Sequence, residues 1–141
     1  MLERLLHLRG RVLEVLQLAG EVGVVGGHVD VAVAGEVEQD GALLPLLLRL
    51  ERLVDRRTRL VEVSFVAMYN GFQHDLKKVA DLAHAHGAYI YADIIQGAGA
   101  VPLDVRATGI DFAASATYKW LMGDFGLAFF FVREELLGTV F

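Results

Sequence analysis

The sequence predicts an α/β fold, part of a three-layer α/β/α domain built on a mainly parallel sheet. Two observations predict it. Along residues 55–141 short apolar runs alternate with amphipathic stretches, the pattern of strands joined by crossover helices. The strand-like runs also read as apolar on both faces, as strands do in a parallel sheet covered by helices on either side.

Residues 1–54 form a segment of different character. They are built almost entirely from Leu, Val, Gly, Ala, Glu and Arg, with no Phe, Tyr, Trp, Ser, Thr, Asn or Lys. Leu2, Leu5, Leu6, Val12, Leu13 and Leu16 suit a helix. Val29, Val31 and Val33 alternate like a strand, and residues 43–53 suit a second helix. Gly26-Gly27 and Asp40-Gly41 can turn the chain.

From residue 55 the elements follow in order. Residues 61–66 read as a buried strand. Over 75–86, Leu76, Val79, Ala80, Leu82 and Ala83 fall at near-helical spacing, with Gly87 placed to end the helix. Residues 88–92 form a second strand running into Asp93. A small-residue segment over 96–100 and Pro102 lead to a helical turn over 105–108. A third strand is expected over 110–114 and a fourth over 127–132, followed by a helix start at Arg133-Glu134-Glu135.

Composition narrows the function. With 55% hydrophobic residues the chain can bury a core, and its net charge of -5 with scattered positive charges argues against a nucleic-acid partner. The absence of cysteine removes disulfides and thiolate metal sites. No apolar run approaches the roughly 20 residues of a spanning helix, and charges interrupt the leucines of the N-terminus, so no membrane segment or signal peptide is expected and a cytoplasmic location is. No GxGxxG or GxxxxGK[ST] follows a strand, which disfavours a nucleotide-binding module.

In open α/β sheets, ligands bind beyond the carboxyl ends of the strands. Asp93 and Lys119 are both expected there. A carboxylate leaving a dry sheet needs a cationic or hydrogen-bonding partner, and a desolvated lysine can attack a carbonyl. The strand ends alone leave two readings open, a structural ion pair or a reactive site. Other residues have plainer roles. His84 and His86 point to different sides of their helix and are read as surface residues, so no metal site is expected. Asn70-Gly71 is a turn pair, Trp120 and the Phe129-Phe130-Phe131 run are read as core, and Gly123 and Gly126 serve a tight turn.

The combination of motifs goes further. Arg57-Thr58-Arg59-Leu60-Val61, the 75–86 helix with Gly87, Asp93, Gln96, Gly99, Pro102-Leu103-Asp104, Gly109, Asp111-Phe112, Lys119 and Gly126 occur in this order. With them, residues 55–141 resemble the class V aminotransferase family of fold-type-I enzymes that use pyridoxal 5'-phosphate (PLP). That group includes cysteine desulfurases, selenocysteine lyases, kynureninase and isopenicillin N epimerase-like proteins.

The resemblance implies that Lys119 forms the Schiff base with PLP and moves protons at the substrate Cα. It implies that Asp93 hydrogen-bonds the ring nitrogen, that Gln96 contacts the phenolic oxygen, and that Tyr118 and Thr117 reach the phosphate. It further implies an amino-acid substrate, transaminase, lyase or epimerase chemistry, and a homodimer. Tyr118 stands where the desulfurase branch has a histidine, as in kynureninase and the epimerase-like branch, which makes sulfur chemistry the less expected outcome.

Residues 1–54 carry no likeness to the family, whose members have an upstream half with a phosphate-binding turn and a ring-stacking residue. Lacking hydroxyl and aromatic side chains, this segment could offer only His7 or His28 for stacking. The chain is therefore expected to be truncated or partly misread. The alternative to an enzyme is an inactive fragment or interaction module that retains the fold.

Overall fold

The computed structural model describes residues 30–34 and 43–139. The elements are β1 (Asp30–Ala34), α1 (Leu43–Leu53), β2 (Thr58–Ser64), α2 (Leu76–Ala85), β3 (Tyr89–Asp93), α3 (Val105–Thr108), β4 (Phe112–Ala116) and β5 (Ala128–Val132), then a 3-10 turn over Glu134–Leu136. The helix expected around Leu2 to Leu16 lies outside the described residues.

The strands form one sheet in the order β1-β2-β3-β4-β5. The first four are mutually parallel, and β5 returns antiparallel to β4. The connections account for this. Parallel neighbours need a crossover, and α1, α2 and α3 supply one each; β4 and β5 are joined by a loop with no helix, so the chain can only reverse.

Helix α2 illustrates how local sequence sets the boundaries. The Asp75 carboxylate accepts the Lys78 N–H at 3.1 Å and caps the first turn. Leu76, Val79, Ala80 and Ala83 form the buried stripe. At the other end Gly87, at φ 74°, donates its N–H to the His84 carbonyl at 3.0 Å and turns the chain out of the helix.

That stripe meets Val61 and Val63 of β2 and Ile90 and Ala92 of β3, all buried, with Leu50 of α1 and Ala113 of β4 in the same cluster. The next residues along each strand are not covered in this way. Glu62, Ser64, Tyr89, Tyr91 and Asp93 are half-buried on the opposite face. The expectation of strands apolar on both faces is thus corrected: among the described residues, helices cover one face. The other carries aromatic rings, with Tyr89 edge-on to Phe112 at 5.8 Å and Phe130 stacked over Phe112 at 6.0 Å and Tyr91 at 6.5 Å.

Two further corrections concern the C-terminal strands. Trp120, Phe129 and Phe130 are 56%, 42% and 50% exposed rather than core: Trp120 sits on the β4–β5 loop, Phe130 on the face away from the core, and Phe129 near the end of β5, beside Ser115; Phe131 does pack on the core. The third strand begins at Phe112 rather than residue 110, since Asp111 is used as a clasp. Fully buried, its Oδ2 accepts from His84 Nε2 and from the Ile90 N–H, each at 2.8 Å. Arg133 Nη2 lies 3.0 Å from Oδ1, an ion contact outside hydrogen-bond alignment. His84 is exposed, as expected, and also ties the end of α2 to the start of β4.

Candidate functional site at the carboxyl ends of the parallel strands

The parallel register aligns Ser64 of β2 with Asp93 of β3, and Asp93 with Ala114 of β4. The backbone is pinned from both sides there: Phe65 N–H donates to the Asp93 carbonyl at 2.8 Å and Ile94 N–H to the Ala114 carbonyl at 3.0 Å. Asp93 is therefore held at the carboxyl edge of the sheet. Its Oδ1 accepts the Ile95 N–H at 3.0 Å, and its Oδ2 accepts no hydrogen bond among the described residues.

Residues 94–101 wind into consecutive turns, with Ala98 N–H to the Ile94 carbonyl at 2.7 Å and Val101 N–H to the Gly97 carbonyl at 2.9 Å. Gln96 rides on these turns, half-buried, close in sequence to Asp93. Beside Asp93 on the face without helices lie two groups that sequence reading passed over. Burial, then the Asp93 charge, pushes the Glu62 carboxyl above its usual range. Burial, then the charges of Asp93 and Glu62, pushes the Tyr91 hydroxyl up to about 12. Tyr91 thus stays protonated and able to donate. The signal was present: Glu62 interrupts the apolar run Leu60-Val61-Glu62-Val63, and alternation puts it on the face of Asp93.

Lys119 lies just past β4, beyond the carboxyl end of the neighbouring parallel strand. Its loop is closed at the base by Thr117, whose N–H donates to the Leu127 carbonyl at 3.1 Å and whose hydroxyl lies 3.0 Å from the Asp124 carbonyl and 3.2 Å from that of Leu127. A tight turn follows, with Met122 N–H to the Lys119 carbonyl at 3.0 Å and Gly123 N–H to the Thr117 carbonyl at 2.9 Å. Tyr118 stacks on Phe125 at 4.8 Å, and Lys119 Nζ sits 5.9 Å from the centre of the Tyr118 ring.

The chain has three lysines. Lys77 pairs with Asp81 at 2.8 Å and Lys78 with Asp75 at 3.3 Å, whereas half-buried Lys119 meets no carboxylate within ion-pair distance among the described residues. Asp93 and Lys119 come to the same edge of the sheet without being spent on each other.

A separate cleft of about 360 Å³ opens between the start of α2 and the segment around α3, lined by Gln73, His74, Asp104 and Thr108 among others. His74 is 2% exposed, neither ring nitrogen faces solvent, and the Ser64 backbone is the polar group that acts on the ring. Burial holds its pKa below the usual histidine value. No group of three His, Asp or Glu among the described residues could hold a metal ion.

The family model described as aminotransferase class-V matches residues 27–140. The chain belongs to that family. The match also takes in β1 and α1, upstream of residue 55 where the sequence likeness was read. An uncharacterized aminotransferase of Bacillus subtilis (strain 168) is 36% identical over 109 residues, covering 77% of this chain and 29% of that protein. Kynureninase of Pseudomonas fluorescens is 36% identical over 92 residues, covering 64% of this chain and 22% of the relative.

Among solved structures, a cysteine desulfurase of Escherichia coli superposes with a TM-score of 0.64 at 29% identity, over 74% of this chain and 25% of that one. The α/β assignment therefore stands. This class V chain spans less than a third of the length of the relatives it matches. No helix among the described residues is long and apolar enough to cross a membrane.

Proposed function

We propose that this chain is the lysine-bearing part of a PLP-dependent enzyme of the class V aminotransferase family, acting on an amino acid by transaminase, lyase or epimerase chemistry. The observation that carries the proposal is the pairing of unspent groups. An acceptor oxygen on Asp93 and a half-buried amine on Lys119, neither ion-paired to the other, stand at adjacent ends of parallel strands. Such an arrangement fits a cofactor with a ring nitrogen at one end and an aldehyde nearby.

When bound, PLP supplies an electron sink for charge developing at the substrate Cα. The chain's own residues would do the rest. Asp93 Oδ2 would accept the ring N–H and keep that nitrogen protonated, while its Oδ1 stays fixed by Ile95. Lys119 would bond the cofactor aldehyde and then hold or return the proton at Cα. The Gln96 amide would donate to the phenolic oxygen. Tyr118 would offer its hydroxyl to the phosphate. Thr117 would have to give up its bonds to Asp124 and Leu127 to donate there, so its contribution is to hold the loop.

The sheet face that no helix among the described residues covers, and the partial coverage of the relatives, favour a second reading as well: a fragment that keeps the fold but needs further chain, or a second copy in a homodimer, to act on substrate. Mixing the purified chain with PLP separates the two. Binding through Lys119 gives a visible absorbance band that borohydride removes and Lys119→Ala abolishes. No band at millimolar PLP favours the fragment.

A further inference from the structure

Three glycines mark where the loops beyond the strand ends touch, and one of them bears on the lysine. A β-carbon at Gly99 would lie 2.7 Å from the Trp120 carbonyl oxygen, 2.9 Å from its carbonyl carbon and 3.1 Å from the Leu121 nitrogen. These are backbone atoms, which cannot swing aside as a side chain can. At Gly97 the obstacle is instead the Phe65 ring, and at Gly123 the Thr117 side chain, at 2.7 Å.

Gly99 belongs to the turns that start at Asp93. They are tied to it through the Ile95 N–H, the Gly97 N–H to the Ile94 carbonyl at 3.0 Å, and the Val101 N–H to the Gly97 carbonyl. Trp120 follows Lys119 directly, inside the turn closed by the Met122 and Gly123 N–H groups. The Asp93 turn and the Lys119 turn are thus in backbone contact at one point.

We infer that Gly99 is a positioning residue for Lys119: having no side chain, it lets the Asp93 turn bear directly on the Trp120 backbone and so sets how far the amine stands from Asp93. This rests on the cofactor reading above. Restoring an ordinary contact of 3.4 Å from 2.7 Å would push the lysine turn away by roughly 0.7 Å. Displacements of about 1 Å at a reacting group can cost ~100-fold in rate. The left-handed φ of 89° at Gly99 adds backbone strain for any other residue, so strain must be separated from contact. Gly109 provides the control: its φ is 71° and a β-carbon there would meet nothing within 4 Å.

The test compares Gly99→Ala with Gly109→Ala in the full chain. Trp120 is the only tryptophan, so its emission and its quenching by iodide report the contact without any cofactor. The rate of PLP addition to Lys119, trapped by borohydride and read by mass spectrometry, reports the consequence. Gly99→Ala is expected to shift Trp120 emission and slow trapping ~10- to 100-fold, while Gly109→Ala, with a similar drop in urea midpoint, changes neither.

Equal behaviour of the two variants overturns the inference, as does slowed trapping with unchanged Trp120 emission. If the unsubstituted chain traps no PLP, the cofactor reading fails and the inference with it; normal trapping in the parent and in Gly99→Ala refutes the inference alone. Should Gly99→Ala not fold, nuclear Overhauser contacts between the Gly99 α-protons and the Leu121 amide in the unsubstituted chain decide, and their absence overturns it.

Discussion

Asp111 shows how far a single residue's role depends on partners distant in sequence. Its buried carboxylate joins His84, the Ile90 N–H and Arg133, and so ties α2, β3 and the end of β5 together. Removing it leaves the Ile90 N–H unpaired and Arg133 with Glu135, 3.5 Å away, as its remaining counter-charge, and an unpaired buried donor costs roughly 1–3 kcal/mol. Asp111→Ala is therefore expected to lower stability by about 2 kcal/mol in urea unfolding, with Asp111→Asn losing less because an amide oxygen still accepts one bond. In the sequence Asp111-Phe112 was legible as a spaced motif but not as a clasp. Asp93 and Lys119, by contrast, could be placed at strand ends from the sequence, since strand periodicity and a following turn are local signals. That they are not ion-paired to each other was not legible, because it depends on where the two loops settle.

At the scale of elements, α2 was the most legible, since Asp75, the apolar stripe and Gly87 are all local instructions. The sheet was harder to read. Which face of β2 and β3 is covered depends on helices contributed by other parts of the chain, so runs such as 88–92 looked uniformly apolar while their alternate residues face away from the helices. Glu62 lies on that second face, and its raised pKa has a sign that can be tested. Burial favours the protonated form in the folded state, so Glu62 costs no stability below its unfolded value of 4.5 and a growing amount as pH rises above it. Glu62→Gln is expected to raise the urea midpoint at pH 7 and leave it unchanged near pH 3.5. An equal gain at both pH values would mean that charge is not the cause.

For the molecule as a whole, His74 sets a pH limit on folding. Its pKa is depressed by burial, so the unfolded chain takes up the proton first. The stability tied to neutral His74 is complete above 6.5 and falls as pH drops below that value toward the lower folded pKa. Since burial outweighs the Ser64 backbone contact in setting its pKa, His74→Phe is expected to fold and to flatten the urea midpoint between pH 6.5 and 5; an undiminished slope would place the acid sensitivity elsewhere.

The carboxyl edge of this sheet carries Asp93, Gln96 and Lys119, while the other two lysines, Lys77 and Lys78, are paired with carboxylates on or beside α2. Whether that edge holds PLP is best tested by reducing the chain with borohydride in the presence of PLP and mapping the modified lysine by peptide mass. The account expects the adduct on Lys119 alone, strongly diminished in Asp93→Asn, with Lys77 and Lys78 unmodified at stoichiometric cofactor. Labelling spread over Lys77 and Lys78, or an adduct on Lys119 indifferent to Asp93→Asn, would contradict it.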